Sequence, residues 1–227
     1  MSNLHELHFP NESAEYRAHR DELLRAEMDL RRQLETVAAL RRTLPLGGKI
    51  PRDYIFDRID PNGGALPVPL SDLFAPGKAS LLLYSFMFAP EWDTPCPACT
   101  SITDGFNSIY RHVRDRVNFA VVAKAQPGKL KKLAQQREWS QLPLFSSYAN
   151  SYNKDYHAQP GDNQSDQQPI LNVFVKRGTD IHHFWATELL FVPGDGHPRH
   201  CDLVWPLWNL FDMTPEGRGD WGPKLAY

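Results

Sequence analysis

The stretch Tyr84-Ser85-Phe86-Met87-Phe88-Ala89-Pro90-Glu91-Trp92-Asp93-Thr94-Pro95-Cys96-Pro97-Ala98-Cys99 decides how this chain reads. It ends the apolar run Ser80 to Phe88, which is too short for a helix of its own and suits a strand buried on both faces. A proline-rich loop follows, and then a CxxC that opens a helical pattern running from Cys96 to Arg116. Ile102, Phe106, Ile109, Tyr110 and Val113 fall on one face of that helix. Pro97 suits the first helical position, where no N–H is needed. A helix N-terminus carries unpaired N–H groups and a partial positive charge, and both stabilise a thiolate. Cys96 is therefore the attacking sulfur, with a depressed pKa. Cys99 lies one turn further along the same face, placed to close a disulfide with Cys96.

Outward from this stretch the pattern continues as α/β. Val117–Ala123 reads as a second buried strand, Lys129–Trp139 as a helix with Leu130, Leu133 and Ala134 inward, and Leu142–Ser146 as a third, shorter strand. Asn150 to Gln168 is polar, and its composition marks it as the least ordered part. Pro169–Val175 and Asp180–Trp185 form a hairpin about Lys176–Thr179, and residues 201–211 form a last aromatic-rich helix interrupted by Pro206. Parallel strands with helical crossovers, plus a terminal antiparallel hairpin, predict a mixed sheet covered on both faces. Before it, Asp53–Asp57 is a short strand, Asn62-Gly63-Gly64 a turn, and Val68–Phe74 a strand running into a helical turn.

Residues 1–48 are an N-terminal charged helix extension, and 49–227 the main domain. Between residues 11 and 42 there are seven acids and seven arginines, and Pro45 and Gly47-Gly48 stop the helix. Tyr16, Leu23, Leu30, Val37 and Leu44 recur every seven residues, but Arg20, Glu27 and Arg41 occupy partner positions, which falls short of a coiled coil. The helix either packs on the domain by one stripe or serves as the arm of a homodimer.

The chain has 227 residues, a formal net charge of −2, and 41% apolar residues, which excludes a disordered chain and gives no electrostatic case for nucleic acid or membrane. No apolar run approaches a membrane span, and Met1–Glu6 lacks the layout of a signal peptide, so a cytoplasmic protein is expected. Three cysteines, Cys96, Cys99 and Cys201, make no disulfide framework. A structural zinc needs four ligands, and the remaining candidates His197, His200 and Cys201 are remote in sequence and lack a second CxxC; no metal is expected. Cys201 reads as a packed residue of the last helix. His182 and His183, adjacent on a strand, point to opposite faces and make no ligand pair. Trp92, Trp205 and Trp208 either line a substrate groove or pack in the core, with core packing at least as favoured for the latter two. There is no phosphate loop, Rossmann glycine pattern or serine-hydrolase elbow, so no cofactor is expected.

Strand Ser80–Phe88, the CxxC at a helix start, and Pro169 just before a strand and hairpin resemble the thioredoxin superfamily. That resemblance implies a thioredoxin-like α/β fold, with Pro169 as a cis-proline facing the CxxC and Gln168 as its neighbour offering backbone contacts to a substrate. Three marks are similar to one bacterial branch in particular. They are the charged helix Tyr16–Leu44, the run Tyr84 to Trp92 leading into Cys-Pro-x-Cys, and the segment Leu210 to Arg218 (Leu-Phe-Asp-x-Thr-Pro-x-Gly-Arg). That family is known as a domain of unknown function and carries the label of predicted dithiol–disulfide isomerases. It implies dithiol chemistry on a protein or small-molecule disulfide, recycled by an external reductant. The sequence departs from ordinary thioredoxin in holding Pro95 before the first cysteine, and Tyr84 where thioredoxin keeps a buried acid. Trp92 and Tyr84 then tune the site, and Pro95 and Pro97 shape it. Pro90-x-x-x-Thr94-x-Cys96 is similar to the peroxiredoxin signature but one residue short, which keeps a thiol peroxidase as an alternative. The other alternative is a non-catalytic interaction module on the same scaffold.

Overall fold

The computed structural model describes residues 4–60, 64–193, 201 and 203–227. The chain divides into two compact units, Met1–Pro45 and Leu46–Tyr227. The first is helix α1, Ala14–Arg42, capped by Ser13, whose hydroxyl accepts from the Tyr16 N–H at 3.0 Å. Arg41 and Arg42 lie in its last turn, favourable to the helix dipole. Tyr16, Leu23, Leu30 and Leu44 of the sevenfold set are exposed. No described helix is long and apolar enough to cross a membrane.

The second unit begins three residues earlier than position 49. Gly47 N–H donates to His183 O, His183 N–H to Gly48 O, and Ile50 N–H to Ile181 O, so this segment runs along the edge of the sheet. A Cβ on Gly47 would come within 2.6 Å of the His183 carbonyl oxygen, which explains the glycine that the sequence offers only as a helix stop.

A seven-stranded sheet runs in the order β2-β1-β5-β4-β3-β6-β7. Its strands are β1 Ile55–Ile59, β2 Ala65–Pro69, β3 Ser80–Phe86, β4 Asn118–Ala123, β5 Leu144–Ser146, β6 Ile170–Arg177 and β7 Asp180–Ala186. β3, β4 and β5 are parallel, joined through α2 (Pro97–Arg116) and α3 (Pro127–Gln136). β6 and β7 form the expected hairpin on one side. β1 and β2 add an antiparallel pair on the other. Of the turn expected at 62–64, Asn62 and Gly63 lie outside the described residues.

Side-chain alternation sorts the core into two clusters, one per face. Tyr84, Phe86, Val121 and Ala123 pack with Cys99, Ile102, Phe106, Leu130, Leu133 and Trp139 beneath α2 and α3. Leu81, Leu83, Ala120 and Val122 pack with Tyr54, Phe56, Tyr152 and Phe174 on the other side. Each such fully buried large side chain contributes roughly 1.5–3 kcal/mol. Ile109 departs from expectation and is exposed: the inward stripe of α2 passes through Ile102, Phe106, Tyr110 and Val113.

Two expectations need correction. The polar stretch 150–168 is ordered around α4, Tyr152–Asp155, with Tyr152, Asn153, Ala158, Gln159 and Gln167 buried. Its polar side chains satisfy backbone and one another, as in Ser147 Oγ to Asn153 Oδ1 at 2.5 Å and Asn153 Nδ2 to Gln167 Oε1 at 3.2 Å. Buried Lys124 closes its entry by donating to the carbonyls of Ser147, Tyr148 and Asn150. Composition alone misses this because polar side chains that hydrogen-bond internally can be buried as readily as apolar ones. The last helix, α5, is Leu207–Asp212, and Pro206 caps its start instead of interrupting it, since proline cannot donate the N–H that an interior position requires.

Candidate active site

The end of β3 positions the cysteines. After Phe86 the chain leaves the sheet, and the Cys96 N–H returns to donate to Met87 O at 3.1 Å. Cys96 is the N-cap of α2, with extended backbone (φ −61°, ψ 124°). Its sulfur takes the capping role usually filled by an oxygen, accepting from the Cys99 N–H at 3.5 Å. Thr100 Oγ1 and Thr103 Oγ1 donate back to the carbonyls of Cys96 and Cys99, at 2.9 and 2.8 Å, tightening the first turns.

The two thiols sit in opposite environments. Cys96 is half-buried, and its pKa is lowered to about 6. The Cys99 thiol beside it is the largest cause, joined by the N–H groups of Cys99 and Ala98, while burial opposes. Cys99 is 1% exposed, and burial pushes its pKa well up, reinforced by the neighbouring Cys96. Near neutral pH the first sulfur is a thiolate and the second a thiol.

Tyr84 stands behind Cys99. It is fully buried on β3, opposite Val121 and Leu171, and its ring meets Phe106 edge-on at 5.3 Å. Its hydroxyl makes no hydrogen bond of good geometry and meets the Cys99 thiol. Its pKa is raised well above that of an ordinary tyrosine, by burial first and then by Cys99, Cys201 and Cys96. A buried hydroxyl without a good hydrogen bond costs about 1–3 kcal/mol. Cys201 is buried in the same cluster as Cys99 and Tyr84. His197 and His200 lie outside the described residues. Among those described, no group of three His, Cys, Asp or Glu could hold a metal.

The remaining predicted residues distribute as follows. Trp92 is half-buried and packs against the core below α2 and α3. Pro95 is buried and Pro97 exposed, on either side of Cys96. Trp205 and Trp208 are buried and stack edge-on at 5.0 Å. Ile170 pairs with Ser85, so Gln168 and Pro169 meet the sheet at the end where the loop to Cys96 begins. Gln168 N–H donates to Ala158 O at 2.9 Å, and its Oε1 is buried without a partner.

Lys129 has no signal in the sequence, where it reads as a surface cation. From α3 its Nζ donates to the carbonyls of Pro90 and Trp92, at 2.6 and 2.9 Å, and so holds the loop that presents Cys96. Ser165 Oγ donates to Glu91 Oε2 at 3.3 Å, tying the 150–168 segment to the same loop. Beside it opens a cavity of about 550 Å³, lined by Phe88, Thr94, Pro95, Lys129, Lys132 and Arg137 among others.

A mixed sheet flanked by helices, with two thiols at the head of the helix after its central strand, is a thioredoxin-like fold. The chain belongs to the family described as bacterial protein of unknown function (DUF899), whose model matches residues 6–226. No curated protein matches it. Among solved structures, it is similar to the reduced 2-Cys peroxiredoxin of Plasmodium vivax, with a TM-score of 0.50 and 14% identity over 74% of this chain and 96% of that one. It is also similar to peroxidoxin BcpB from Mycobacterium tuberculosis, with a TM-score of 0.47 and 17% identity over 72% of this chain and 95% of that one. At such identities the likeness to the Plasmodium vivax protein concerns the fold and not the activity.

Proposed function

We propose that this protein is a dithiol–disulfide oxidoreductase, of the kind the isomerase label implies, with Cys96 attacking and Cys99 resolving. The observation that carries this reading is the split between a capping, half-buried thiolate and a buried thiol one turn away. Cys96 thiolate attacks one sulfur of a protein or small-molecule disulfide, forming a mixed disulfide and releasing the other half as a thiolate. Cys99 then attacks the Cys96 sulfur, forming the Cys96–Cys99 disulfide. The second half departs and takes up the proton that Cys99 gives away. The substrate gains two electrons, the protein loses two, and an external reductant returns the pair to dithiol, in keeping with a cytoplasmic setting. Pro169 and Gln168, at the same end of the sheet, would shape the face that meets the substrate.

A glutathione redox titration, read by alkylation and mass spectrometry, tests this directly. A two-electron transition between roughly −270 and −120 mV is the expected result, and Cys99→Ser should trap mixed disulfides on Cys96. A pair that forms no disulfide at any poise would overturn the reading and leave an interaction module. The order Pro90, Thr94, Cys96 supports a second reading, a thiol peroxidase. It requires hydrogen peroxide to oxidise Cys96 much faster than oxidised glutathione does.

A further inference from the structure

We propose that the Tyr84 hydroxyl is the hydrogen-bond donor that stabilises the Cys99 thiolate as it forms during resolution. This rests on the dithiol reading above and assigns a role in its second step alone.

The second step has a difficulty that the first does not. Cys96 is already a thiolate, aided by its cap and by Cys99. Cys99 must lose its proton inside the core, where burial penalises the charge that develops on its sulfur. The Cys99 N–H points at Cys96 sulfur and the Cys99 carbonyl accepts from Thr103, which leaves the Tyr84 hydroxyl and the Met87 backbone as the groups that favour the Cys99 thiolate. Tyr84 is the buried polar side chain whose proton affinity responds to Cys99, Cys201 and Cys96 alike. Its hydroxyl is the side-chain group that, together with the Met87 backbone, lowers the proton affinity of Cys99.

In the dithiol state the hydroxyl is buried against the Cys99 thiol without a well-aligned hydrogen bond. A buried donor held loosely beside a sulfur that becomes negative is preorganised for that charge: its hydrogen bond strengthens as the charge forms. Tyr84 is also unable to serve as the base, because its own proton is held more tightly than in water. It therefore keeps its proton throughout. The bond that forms is Cys96–Cys99, the bond that breaks is between Cys96 and the substrate sulfur, and the Cys99 proton ends on the departing thiolate.

Tyr84→Phe removes only the hydroxyl and keeps the ring against Phe106. The reduced protein is mixed with oxidised glutathione, quenched in acid at intervals, alkylated and weighed intact. In the variant, glutathionylated Cys96 should accumulate and release of the second glutathione should slow by about tenfold, the loss of one hydrogen bond to a charged group. Formation of the adduct, and the pH profile of Cys96 alkylation, should be unchanged. The variant should unfold at the same urea concentration as the parent or higher, since the hydroxyl it loses is buried without a well-aligned hydrogen bond. A purely structural tyrosine would instead lower stability and leave resolution alone. Resolution at the parental rate overturns the role of Tyr84 while the dithiol reading stands. Failure of the parent and of Cys99→Ser to form any adduct overturns that reading, and this one with it.

Discussion

Two fully buried tyrosines, one on each face of the sheet, show what separates scaffold from chemistry in this molecule. Tyr152 lies in the aromatic cluster with Tyr54, Phe56 and Phe174, and its hydroxyl accepts from Asn172 Nδ2 at 3.2 Å. Asn172 in turn faces His183 Nε2 at 3.0 Å, and Tyr54 donates to Asp155 at 2.7 Å, so Tyr152 and its neighbours carry hydrogen-bonded polar groups. Tyr84, on the other face, is buried among the sulfurs, its hydroxyl against the Cys99 thiol without a well-aligned hydrogen bond. Satisfied buried polar groups make a face rigid, whereas a hydroxyl held loosely against a thiol is free to respond to charge on the sulfur.

The contrast can be broken most directly at the thiols. If the two environments differ as described, the alkylation rate of Cys96 at fixed reagent stays on a plateau above about pH 6 and falls below it. The fall is about tenfold per pH unit, because lowering the pH protonates the reactive thiolate. Cys99 should stay unmodified over the same range, its proton held by burial. Equal reactivity of the two cysteines, read by peptide mapping, would erase the asymmetry on which resolution depends.

A smaller effect is expected one element away. Lys129→Met frees the carbonyls of Pro90 and Trp92 and loosens the loop ahead of Cys96. Exchange with oxidised glutathione should slow several-fold, and stability should drop by about 1.5–3 kcal/mol, the range for hydrogen bonds to a charged donor. A variant as fast as the parent would show that the loop holds Cys96 without the clamp.

The smallest change sharpens the comparison of tyrosines. Tyr152→Phe leaves Asn172 Nδ2 without its acceptor and should cost about 1–2 kcal/mol in urea unfolding, with exchange kinetics unaltered. That is the reverse of the pattern expected for Tyr84→Phe.

Much of this was legible in the residues. The apolar run from Ser80, the alternation that separates Leu81 and Leu83 from Tyr84 and Phe86, and a CxxC with proline at N1 are local signals. Strand burial, helix starts and the position of a cap depend on near neighbours in the chain, so the sequence by itself determined the central strand, the helix after it and the cysteine that caps that helix. The tertiary structure decided what stands around that sulfur. Lys129 reaches back 37 residues to grip Trp92, Cys201 joins a core that Cys99 entered a hundred positions earlier, and the polar segment 150–168 becomes ordered by bonds to Lys124 and Glu91. Those contacts come from the order in which strands pair, which no local pattern specifies. Whether a tyrosine hydroxyl finds a partner or faces a thiol is settled only when both faces of the sheet are filled.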